Sequence, residues 1–447
     1  MEYCMKSCFN KLRVWFLIFG MFSSIKADGP RLLIKIPTRS RPEQFFMVLD
    51  KFYAKLSGEI PYHFLITCDV DDTTMNNEHI INRLNSYVHL TYQFGRSKSK
   101  IEAYNYGIAQ QEFDILLAAS DDMEPIVDGY DKIITQAMLK HFPDLDGILN
   151  YKDGYTDNSI CNVMPIVGKK FFNRFGYLYY PGYVSLFCDN EIMLVSRILN
   201  KEAIFSDVII RHNHPYNINP VNPDYDTLYL KNNDFYRSDM NIFNSRRERL
   251  FDIPKAWLDE VTPKLWSILI CTIDERQAGF QRLYSKLAQQ IKTMGLEDQV
   301  EILFFRDKRG EHTIGHKRNV LLHQSKGKYV NFLDDDDDVH KNYIKMIFEK
   351  LNKNPDVVSL VGLLKTGKKK TEKFVHSVKY KKYSKKGKTY YRPPNHLNTM
   401  KRHIAIQYLF PEINYGEDTR WAMMIANKKL LKIESKITQP YYFYLKK

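Results

Sequence analysis

The sequence is poor in cysteine, with six in 447 residues. None of them is spaced as a CxxC pair, so the chain gives no sign of a zinc site. Cys4 and Cys8 lie in the N-terminal segment, and Cys271 is the only cysteine of the second half. This scatter also excludes a disulfide framework of the kind that holds small secreted domains together.

Long apolar runs are missing beyond the N-terminus, so nothing after residue 27 predicts a membrane span. Residues 1–27 differ, because Lys6, Lys11 and Arg13 precede the apolar run Val14–Phe22 and small residues follow it. This order is typical of a signal peptide, or of a signal anchor that is not cleaved. It predicts a protein of the secretory pathway or periplasm, or one associated with a membrane.

Acidic side chains are scarce in one segment, residues 365–392, which holds twelve Lys or Arg and a single acid, Glu372. Outside it and residues 1–27, acidic and basic side chains balance, although the whole chain carries a net charge of +14. Because the positive charge is local, it does not indicate a surface built for nucleic acid. We expect a long loop or ribbon that is either solvated or binds an acidic acceptor or an anionic membrane surface.

Short apolar runs alternate with longer amphipathic stretches after residue 27, which is typical of βα units on a mainly parallel sheet. The order occurs twice, and the chain exceeds what one hydrophobic core usually serves, so we expect two α/β domains. The predicted strands are Leu32–Pro37, His63–Cys68, Val88–Phe94, Asp114–Ala119, Gly147–Tyr151, Trp266–Thr272, Val300–Phe305, Tyr329–Leu333 and Val357–Leu363. The predicted helices are Pro42–Leu56, Ser99–Gln111, Gln281–Met294 and Gly315–Gln324.

Five consecutive carboxylates, Asp334–Asp338, follow the apolar strand Tyr329–Leu333 directly. In open α/β sheets, ligands collect at the carboxyl ends of strands. Neighbouring carboxylates repel one another unless a cation holds them together, and hard oxygen ligands suit Mn²⁺ or Mg²⁺. The run therefore predicts a metal site that holds a diphosphate, with an acidic surface turn as the alternative.

Several motifs of the second half resemble, in order, those of the inverting family 2 glycosyltransferases, which have the GT-A (nucleotide-diphospho-sugar transferase) fold. Ser267–Thr272 resembles the first strand of that family, and Gly315–Asn319 resembles the segment before its metal strand. Gly327–Asp334 resembles the metal strand itself, and Gly416–Trp421 resembles the ED motif. The resemblance implies an enzyme that uses a nucleotide-sugar donor, of which a UDP-linked sugar is one candidate.

The resemblance also implies roles for residues of the second half. Asp334 and Asp336 match the DxD motif and imply a bound Mn²⁺ or Mg²⁺, and Asp418, beside Glu417, implies the catalytic base. A base that accepts the proton of the acceptor hydroxyl, together with a metal on the leaving diphosphate, implies inversion at the anomeric carbon. The residues expected on the nucleotide sugar are Thr272, Asp274, Asp307, Arg318 and Asp335.

The first half resembles the same plan with departures. Ile36–Pro42 resembles the first strand and loop, but Ser120 stands where the DxD motif has its first aspartate. Cys188–Glu191 resembles the base motif, with Asp189 in the place of Asp418. The residues expected on a nucleotide sugar are Thr38, Arg39, Asp69 and Asp121, and those expected on a metal are Asp122 and His214, which follows a strand together with His212.

Pro393 and Pro394 impose an extended backbone after the Lys-rich segment. We therefore expect Asn395, His396 and Asn398 to contact the acceptor, with a rigid connector as the alternative. The acceptor expected is a glycan, a lipid-linked molecule or a protein.

The predicted organisation is two tandem Rossmann-like GT-A domains, the second better equipped for catalysis. A signal segment covers 1–27, the first domain 28–215, a linker or closing segment 216–264, and the second domain 265–447 with a Lys-rich loop at 365–392. The predicted activity is that of a hexosyltransferase-type enzyme in the synthesis of a glycan, cell-surface polysaccharide or glycoconjugate. A location on the cytoplasmic face stays open, because bacterial enzymes of this type usually work where nucleotide sugars are made.

Two other classes of protein share some of these features: a carbohydrate-binding protein without activity, and a metal-dependent nucleic-acid enzyme. The second is disfavoured because no interleaving of aromatic and basic residues marks a strand-tracking groove. A glycoside hydrolase needs only two carboxylates and no metal, so it would leave the aspartate run unexplained.

Overall fold

The computed structural model describes residues 29–156, 158, 161–221, 223–366 and 370–446. The predicted signal segment, 1–27, lies outside these residues. The fold is mixed α/β, with mainly parallel sheets flanked by helices, as the sequence predicts. Within the described ranges, no helix is both long enough and apolar enough to cross a bilayer.

The strands of the first half are β1 (Leu32–Pro37), β2 (Tyr62–Asp69), β3 (Leu90–Gly95), β4 (Ile115–Ala118), β5 (Met123–Pro125), β6 (Ile148–Lys152), β7 (Ile166–Gly168), β8 (Glu202–Val208) and β9 (Ile210–His212). Its helices are α1 (Pro42–Ala54), α2 (Glu78–Asn85), α3 (Lys100–Asn105), α4 (Tyr130–His141), α5 (Lys169–Phe175) and α6 (Cys188–Ile198). Four helices follow: α7 (Pro215–Ile218), α8 (Thr227–Asn233), α9 (Tyr236–Glu248) and α10 (Lys255–Val261).

The strands of the second half are β10 (Lys264–Ile273), β11 (Val300–Asp307), β12 (Gly327–Asp334), β13 (Asp338–Val339), β14 (Val357–Val358), β15 (Leu360–Thr366), β16 (Lys370–His376), β17 (Ser384–Lys386), β18 (Thr389–Arg392), β19 (Met400–Lys401), β20 (Glu434–Ser435) and β21 (Tyr442–Lys446). Its helices are α11 (Gln277–Thr293), α12 (Ile314–Gln324), α13 (Tyr343–Leu351), α14 (Arg402–Ala405) and α15 (Glu417–Asn427).

The main sheets of the two halves have the same topology. The strand order is β3-β2-β1-β4-β7-β6-β8 in the first and β11-β10-β12-β19-β14-β20 in the second. Apart from β3, each strand of the first sheet has a counterpart in the second that pairs with its neighbours in the same directions. The loops that follow corresponding strands therefore lie at the same edge of each sheet. Both candidate sites lie at this edge.

Most predicted elements form within a few residues of their expected bounds, with two informative exceptions. The helix expected at Ser99–Gln111 ends at Asn105, because Gly107 has a φ of 82° and breaks the helical backbone. The strand expected at Val357–Leu363 is two strands, β14 and β15, which pair in different sheets. The chain leaves one sheet for the other at Ser359, a crossing that periodicity does not reveal.

The Lys-rich segment is part of a sheet rather than a long loop. Strands β16, β18 and β17 extend a second sheet of this half, whose order is β13-β21-β15-β16-β18-β17. Lys368 and Lys369 lie outside the described residues. We call residues 370–392 the basic ribbon.

Residues 216–264, predicted to be a linker or closing segment, contain the helices α8–α10 and pack firmly on the first half. Asp239 of α9 is fully buried and accepts hydrogen bonds from the backbone amides of Val184, Ser185 and Leu186. The two halves also share one core, in which Leu33 and Leu269, from equivalent strands, belong to the same hydrophobic cluster.

A buried ion pair fastens α9 to α6. The Arg246 guanidinium donates three hydrogen bonds to Glu191, at 2.7 to 3.0 Å, and also contacts Asp252. We expect Arg246→Ala to lower the free energy of unfolding by about 3–5 kcal/mol, because it leaves the Glu191 carboxylate buried without its cation. Arg249, which is half exposed and contacts the same Asp252, is the control, and Arg249→Ala should cost at most about 1 kcal/mol. Urea denaturation of both variants measures the difference, and equal losses would contradict the prediction.

Candidate active sites

The first candidate site lies where β10 and β12 end. Their parallel register sets Cys271 opposite Asp334, so the next residues along the chain, Thr272 and Asp335, also meet. The Thr272 hydroxyl donates to Asp335 at 2.8 Å. The aspartate run thus begins at the carboxyl edge of the sheet, as the sequence predicts, and we call this place the second-half site.

Asp334 and Asp336, the predicted metal ligands, both remain partly exposed, as does Asp338. Asp334 is 31% exposed and lies 3.2 Å from Arg318 and 3.6 Å from His396. Asp336 is 33% exposed and lies 3.2 Å from Arg276. Both predicted metal ligands therefore carry a carboxylate that solvent can reach.

The other three aspartates of the run have partners within the fold, two of them at buried positions. Asp335 is buried and also bound by Arg276 at 2.9 Å. Asp337 is buried and accepts hydrogen bonds from the Tyr442 hydroxyl at 2.6 Å and from the backbone amide of Leu445 at 2.9 Å. Asp338 is paired with Lys286 of α11 at 2.7 Å. Their side chains shape the turn that presents Asp334 and Asp336.

The electrostatics of the run fit a cation. Burial and the nearby Asp334 raise the pKa of Asp337 well above its usual range. Burial opposes ionisation of Asp334 as well, but His396 and Arg318 outweigh it and lower its pKa. Negative charge is thus concentrated on Asp334, while the crowded Asp337 resists ionisation. Two partly exposed, ionised carboxylates of this kind suit Mn²⁺ or Mg²⁺.

The two acids of the ED motif have different environments at the start of α15. Glu417 is buried and lies 3.4 Å from Arg318, whereas Asp418 is 27% exposed and lies 3.5 Å from His396. The turn before them depends on Gly416, whose φ of 80° favours glycine. Burial raises the pKa of Glu417. Of the two acids, Asp418 is the one that an acceptor could approach.

His396 is a link between the two groups of acids. Its side chain is 5% exposed, and its ring nitrogens face Asp334 at 3.6 Å and Asp418 at 3.5 Å. The predicted metal ligand and the predicted base therefore lie on opposite sides of one buried imidazole. Sequence reasoning assigned His396 to the acceptor, and its observed contacts are with catalytic candidates instead.

Asn395 and Asn398 do not present their side chains to an acceptor. Both are buried. The Asn398 amide oxygen accepts from the backbone of Asn395 at 3.0 Å, and the Asn395 amide oxygen accepts from the backbone of Leu397 at 3.1 Å. These amides close the turn that follows the two prolines, and the acceptor role of Asn395 and Asn398 stays a prediction.

The helix α12 supplies cations to the site. Gly315 allows it to pack closely, since a Cβ there would stand 1.9 Å from the Pro411 carbonyl oxygen. Lys317 is buried and donates to Asp307 at 2.7 Å. Arg318 contacts Asp334 and Glu417, so its predicted contact with the nucleotide sugar would compete with these two acids.

Of the remaining predicted nucleotide contacts, Asp307 ends β11 and Asp274 is exposed after β10. Asp307, Glu311 and His312 bring three possible metal-ligand atoms within 4.8 Å of one another. This group is distinct from the predicted pair of Asp334 and Asp336. Since Asp307 is already bound by Lys317, it is the weaker candidate for a metal.

The second candidate site, the first-half site, lies at the equivalent edge of the other main sheet. The Thr38 hydroxyl donates to Asp121 at 2.9 Å, and Arg41 contacts the same carboxylate at 3.1 Å. These contacts repeat those of Thr272 and Arg276 with Asp335. Burial and the adjacent Asp122 raise the pKa of Asp121 to about 6. The sequence predicted that the two halves share a plan, but it did not predict that these two contacts are repeated.

Asp122, predicted to bind a metal, contacts His212 rather than His214. The His212 Nε2 atom lies 3.3 Å from Asp122, and its Nδ1 atom lies 3.6 Å from Asp153. Burial disfavours the charged imidazole, but Asp122 raises the pKa of His212 to about 9. The pairing of β5 with β9 sets His212 beside the acids, whereas the His214 imidazole accepts a hydrogen bond from the backbone of Tyr216.

A cavity of about 470 Å³ opens beside these residues. Its lining includes the predicted residues Thr38, Arg39, Asp69, Asp121, Asp122, Asp189 and His214. Arg39 pairs with Asp69 at 2.7 Å and with Asp71 at 2.9 Å. Helix α8 covers part of the cavity, because the Tyr229 hydroxyl donates to Asp122 at 2.7 Å. The sequence favoured the second half for catalysis, yet the first half has a cavity of ligand size.

Residues 267–413 match the family model described as "Glycosyl transferase family 2". This match confirms the resemblance for the first strand, the segment before the metal strand and the metal strand itself, whereas the ED motif, Gly416–Trp421, lies just beyond the matched residues. The chain therefore contains a family 2-like glycosyltransferase domain of the GT-A type. None of the curated proteins matches the chain.

Among solved structures, that of residues 1–349 of S. aureus TarS is 17% identical, over 40% of this chain and 60% of that chain, with a TM-score of 0.30. The structure of the same protein in complex with UDP-GlcNAc is 15% identical over 41% of this chain and 59% of that chain, with a TM-score of 0.30. The mannosyltransferase PcManGT from Pyrobaculum calidifontis, in complex with GDP-Man and Mn²⁺, is 12% identical over 42% of this chain and 58% of that chain, with a TM-score of 0.34. The chain spans less than two thirds of each relative, and likenesses this low say nothing about its substrate.

Proposed function

We propose that the chain is a metal-dependent, inverting glycosyltransferase that moves a hexose from a nucleotide-diphosphate sugar to an acceptor hydroxyl. The observation that carries the proposal is the arrangement around His396, where the open Asp334 and the open Asp418 face one imidazole from two sides. A transferase of this class needs a group for the leaving diphosphate and a base for the attacking hydroxyl. Asp334 lies within residues 267–413, which match the family model, and Asp418 follows shortly after them in the second half.

In this proposal, Asp418 accepts the proton of the acceptor hydroxyl as it attacks the anomeric carbon. A hydroxyl is a poor nucleophile until a base takes its proton, and a carboxylate that is hydrogen-bonding distance away can do so. Glu417 is held by Arg318 and supports the turn instead. His396 lies between Asp418, at 3.5 Å, and Asp334 on the donor side of the site, at 3.6 Å.

Asp334 and Asp336 would hold Mn²⁺ or Mg²⁺. When bound, the cation supplies positive charge to the departing diphosphate as a Lewis acid. Thr272 and Asp335 fix the turn that carries these two ligands, and Arg276 adds a further positive charge beside them. One base and one metal, without a covalent intermediate, favour inversion.

We propose that the first half is a second GT-A domain that also binds a nucleotide sugar. The equal topology of the two main sheets supports this, together with the cavity beside Asp121 and Asp122. The proposed domains are 28–215 and 265–447, with 216–264 packed on the first. Asp189 lines the cavity and would be the base there. We further propose that residues 1–27 direct the protein to a secretory or membrane-associated location, where it acts in glycan or glycoconjugate synthesis.

The test is release of free nucleotide from a panel of UDP- and GDP-linked sugars, with Mn²⁺, with Mg²⁺ and with a chelator. We expect release with at least one donor, and its loss with the chelator. Asp122→Asn is tested alongside. If the first half is active, this variant should release less nucleotide in total, and the release that remains should show the donor preference of the second half. Release that the chelator does not affect would exclude the metal-dependent mechanism. Binding without any release would favour a carbohydrate-binding protein.

A further inference from the structure

The basic ribbon carries positive charge that the protein itself does not neutralise. Its single acid, Glu372, is buried and already engaged by Lys385 at 2.9 Å. The ribbon lysines that are exposed and make no ion pair with a described residue are Lys373, Lys379, Lys381, Lys382, Lys386 and Lys388. Like charges held on one short sheet repel one another unless counter-ions or an anionic partner screen them.

The structure adds the position of this charge relative to the second-half site. Strand β18 leads through the two prolines directly to His396, which contacts Asp418. The Arg392 guanidinium at the end of β18 lies 5.3 Å from the centre of the Tyr383 ring. Burial raises the pKa of the Tyr383 phenol, with Thr419 and Asp418 as its polar neighbours. The ribbon therefore leads directly into the segment that carries His396 and has Tyr383 beside the proposed base.

The ribbon has no apolar face suited to entering a lipid layer. Its tyrosines are only partly exposed, and none of the large hydrophobic side chains that are exposed among the described residues lies between 370 and 392. Peripheral membrane segments usually combine basic residues with apolar side chains that insert. The charge and its place at the base thus favour a soluble polyanionic chain over a membrane.

We infer that the basic ribbon binds the acceptor, and that the acceptor is a glycan carrying phosphate or carboxylate groups. This inference rests on the proposed function of the second-half site. The acceptor lies along β17 and β18, its charged groups on the exposed lysines, and one of its hydroxyls reaches Asp418. The lysines contribute to acceptor affinity and leave the chemistry at the donor unchanged.

The test compares two variants with the same loss of charge. The ribbon variant replaces Lys381, Lys382, Lys386 and Lys388 with Gln, and the control replaces Lys292, Lys341, Lys345 and Lys353, which are exposed elsewhere on the second half and make no ion pair with a described residue. The probes are a dextran phosphate fragment, an oligogalacturonate, a neutral dextran fragment and vesicles containing phosphatidylglycerol. Binding is measured at about 30 mM and about 300 mM salt, where screening differs strongly.

We expect the ribbon variant to bind at least one anionic glycan about tenfold more weakly than the parent at low salt, as four lost surface pairs imply. The difference should shrink at high salt, and the control should stay within about twofold of the parent. Neither variant should change nucleotide release to water in the absence of acceptor. The two anionic glycans show whether phosphate or carboxylate is preferred.

Equal binding of the anionic glycans by parent and ribbon variant would overturn the inference, as would equal affinity of the parent for the neutral dextran. Weaker vesicle binding by the ribbon variant, with glycan binding unchanged, would assign the ribbon to a membrane instead. The proposed function fails separately, if the parent releases no nucleotide from any donor, since the binding measurements do not depend on turnover.

Discussion

Asp418→Asn is expected to retain donor binding and to lose sugar transfer by about 10²- to 10⁴-fold, the usual contribution of a general base. The amide that replaces the carboxylate has nearly the same shape but cannot accept the proton of the acceptor hydroxyl. Asp418 is partly exposed and its described polar contacts are with His396 and Thr419, so the fold should be unaffected. Calorimetry with the nucleotide and a transfer assay measure the two effects separately.

The matched control is Asp298→Asn, which removes the same charge from an exposed residue. Asp298 lies just before β11, at the end of the second-half main sheet opposite the carboxyl ends of its parallel strands. It should leave both measurements unchanged. If Asp418→Asn weakens nucleotide binding as much as it slows transfer, Asp418 is a ligand or a structural residue and not the base.

Asp336→Ala is expected to lower metal-dependent nucleotide release by about 100-fold or more, since a metal on a leaving group contributes several kcal/mol. Asp336 is partly exposed and has Arg276 as its ionic partner. Its loss should therefore change the free energy of unfolding by no more than about 0.5 kcal/mol. Release assays over a range of Mn²⁺ concentrations, with a thermal melt, test both parts.

Asp338→Ala is the control, because it removes a carboxylate from the same run. Asp338 is held by Lys286 of α11 and is not one of the proposed ligands, so this variant should keep its metal dependence and lose at most about 1 kcal/mol of stability. Full activity in Asp336→Ala would contradict the assignment of the DxD motif. Equal losses in both variants would indicate a general effect of charge.

The elements of the two main sheets were predictable because their residues are apolar in a local pattern. The strand Tyr329–Leu333 and the acids after it form a contiguous signal, and a strand that ends in carboxylates identifies the edge where a site lies. Such predictions depend on neighbours in sequence. They failed at Val357–Leu363, where two consecutive strands of similar composition enter different sheets.

The contacts between distant segments were not predictable. The sequence placed His396 at the acceptor because prolines precede it, and it offered His214 as a metal ligand after the strand that His212 also follows. In each case the partner carboxylate comes from another part of the chain: Asp334 and Asp418 for His396, and Asp122 for His212. Motif spacing contains no information about which imidazole meets which acid.

By itself, the sequence determined the mixed α/β class, the duplicated order of elements, the aspartate run at a strand end and the family 2-like motifs of residues 267–413. These follow from local periodicity and from residue types in a fixed order. Only the tertiary structure decided which aspartates are open, that Asn395 and Asn398 close a turn, that a cavity accompanies the first half, and that the basic ribbon borders Asp418. The physical reason is that exposure, pairing of charges and shape arise when segments far apart in the chain pack together.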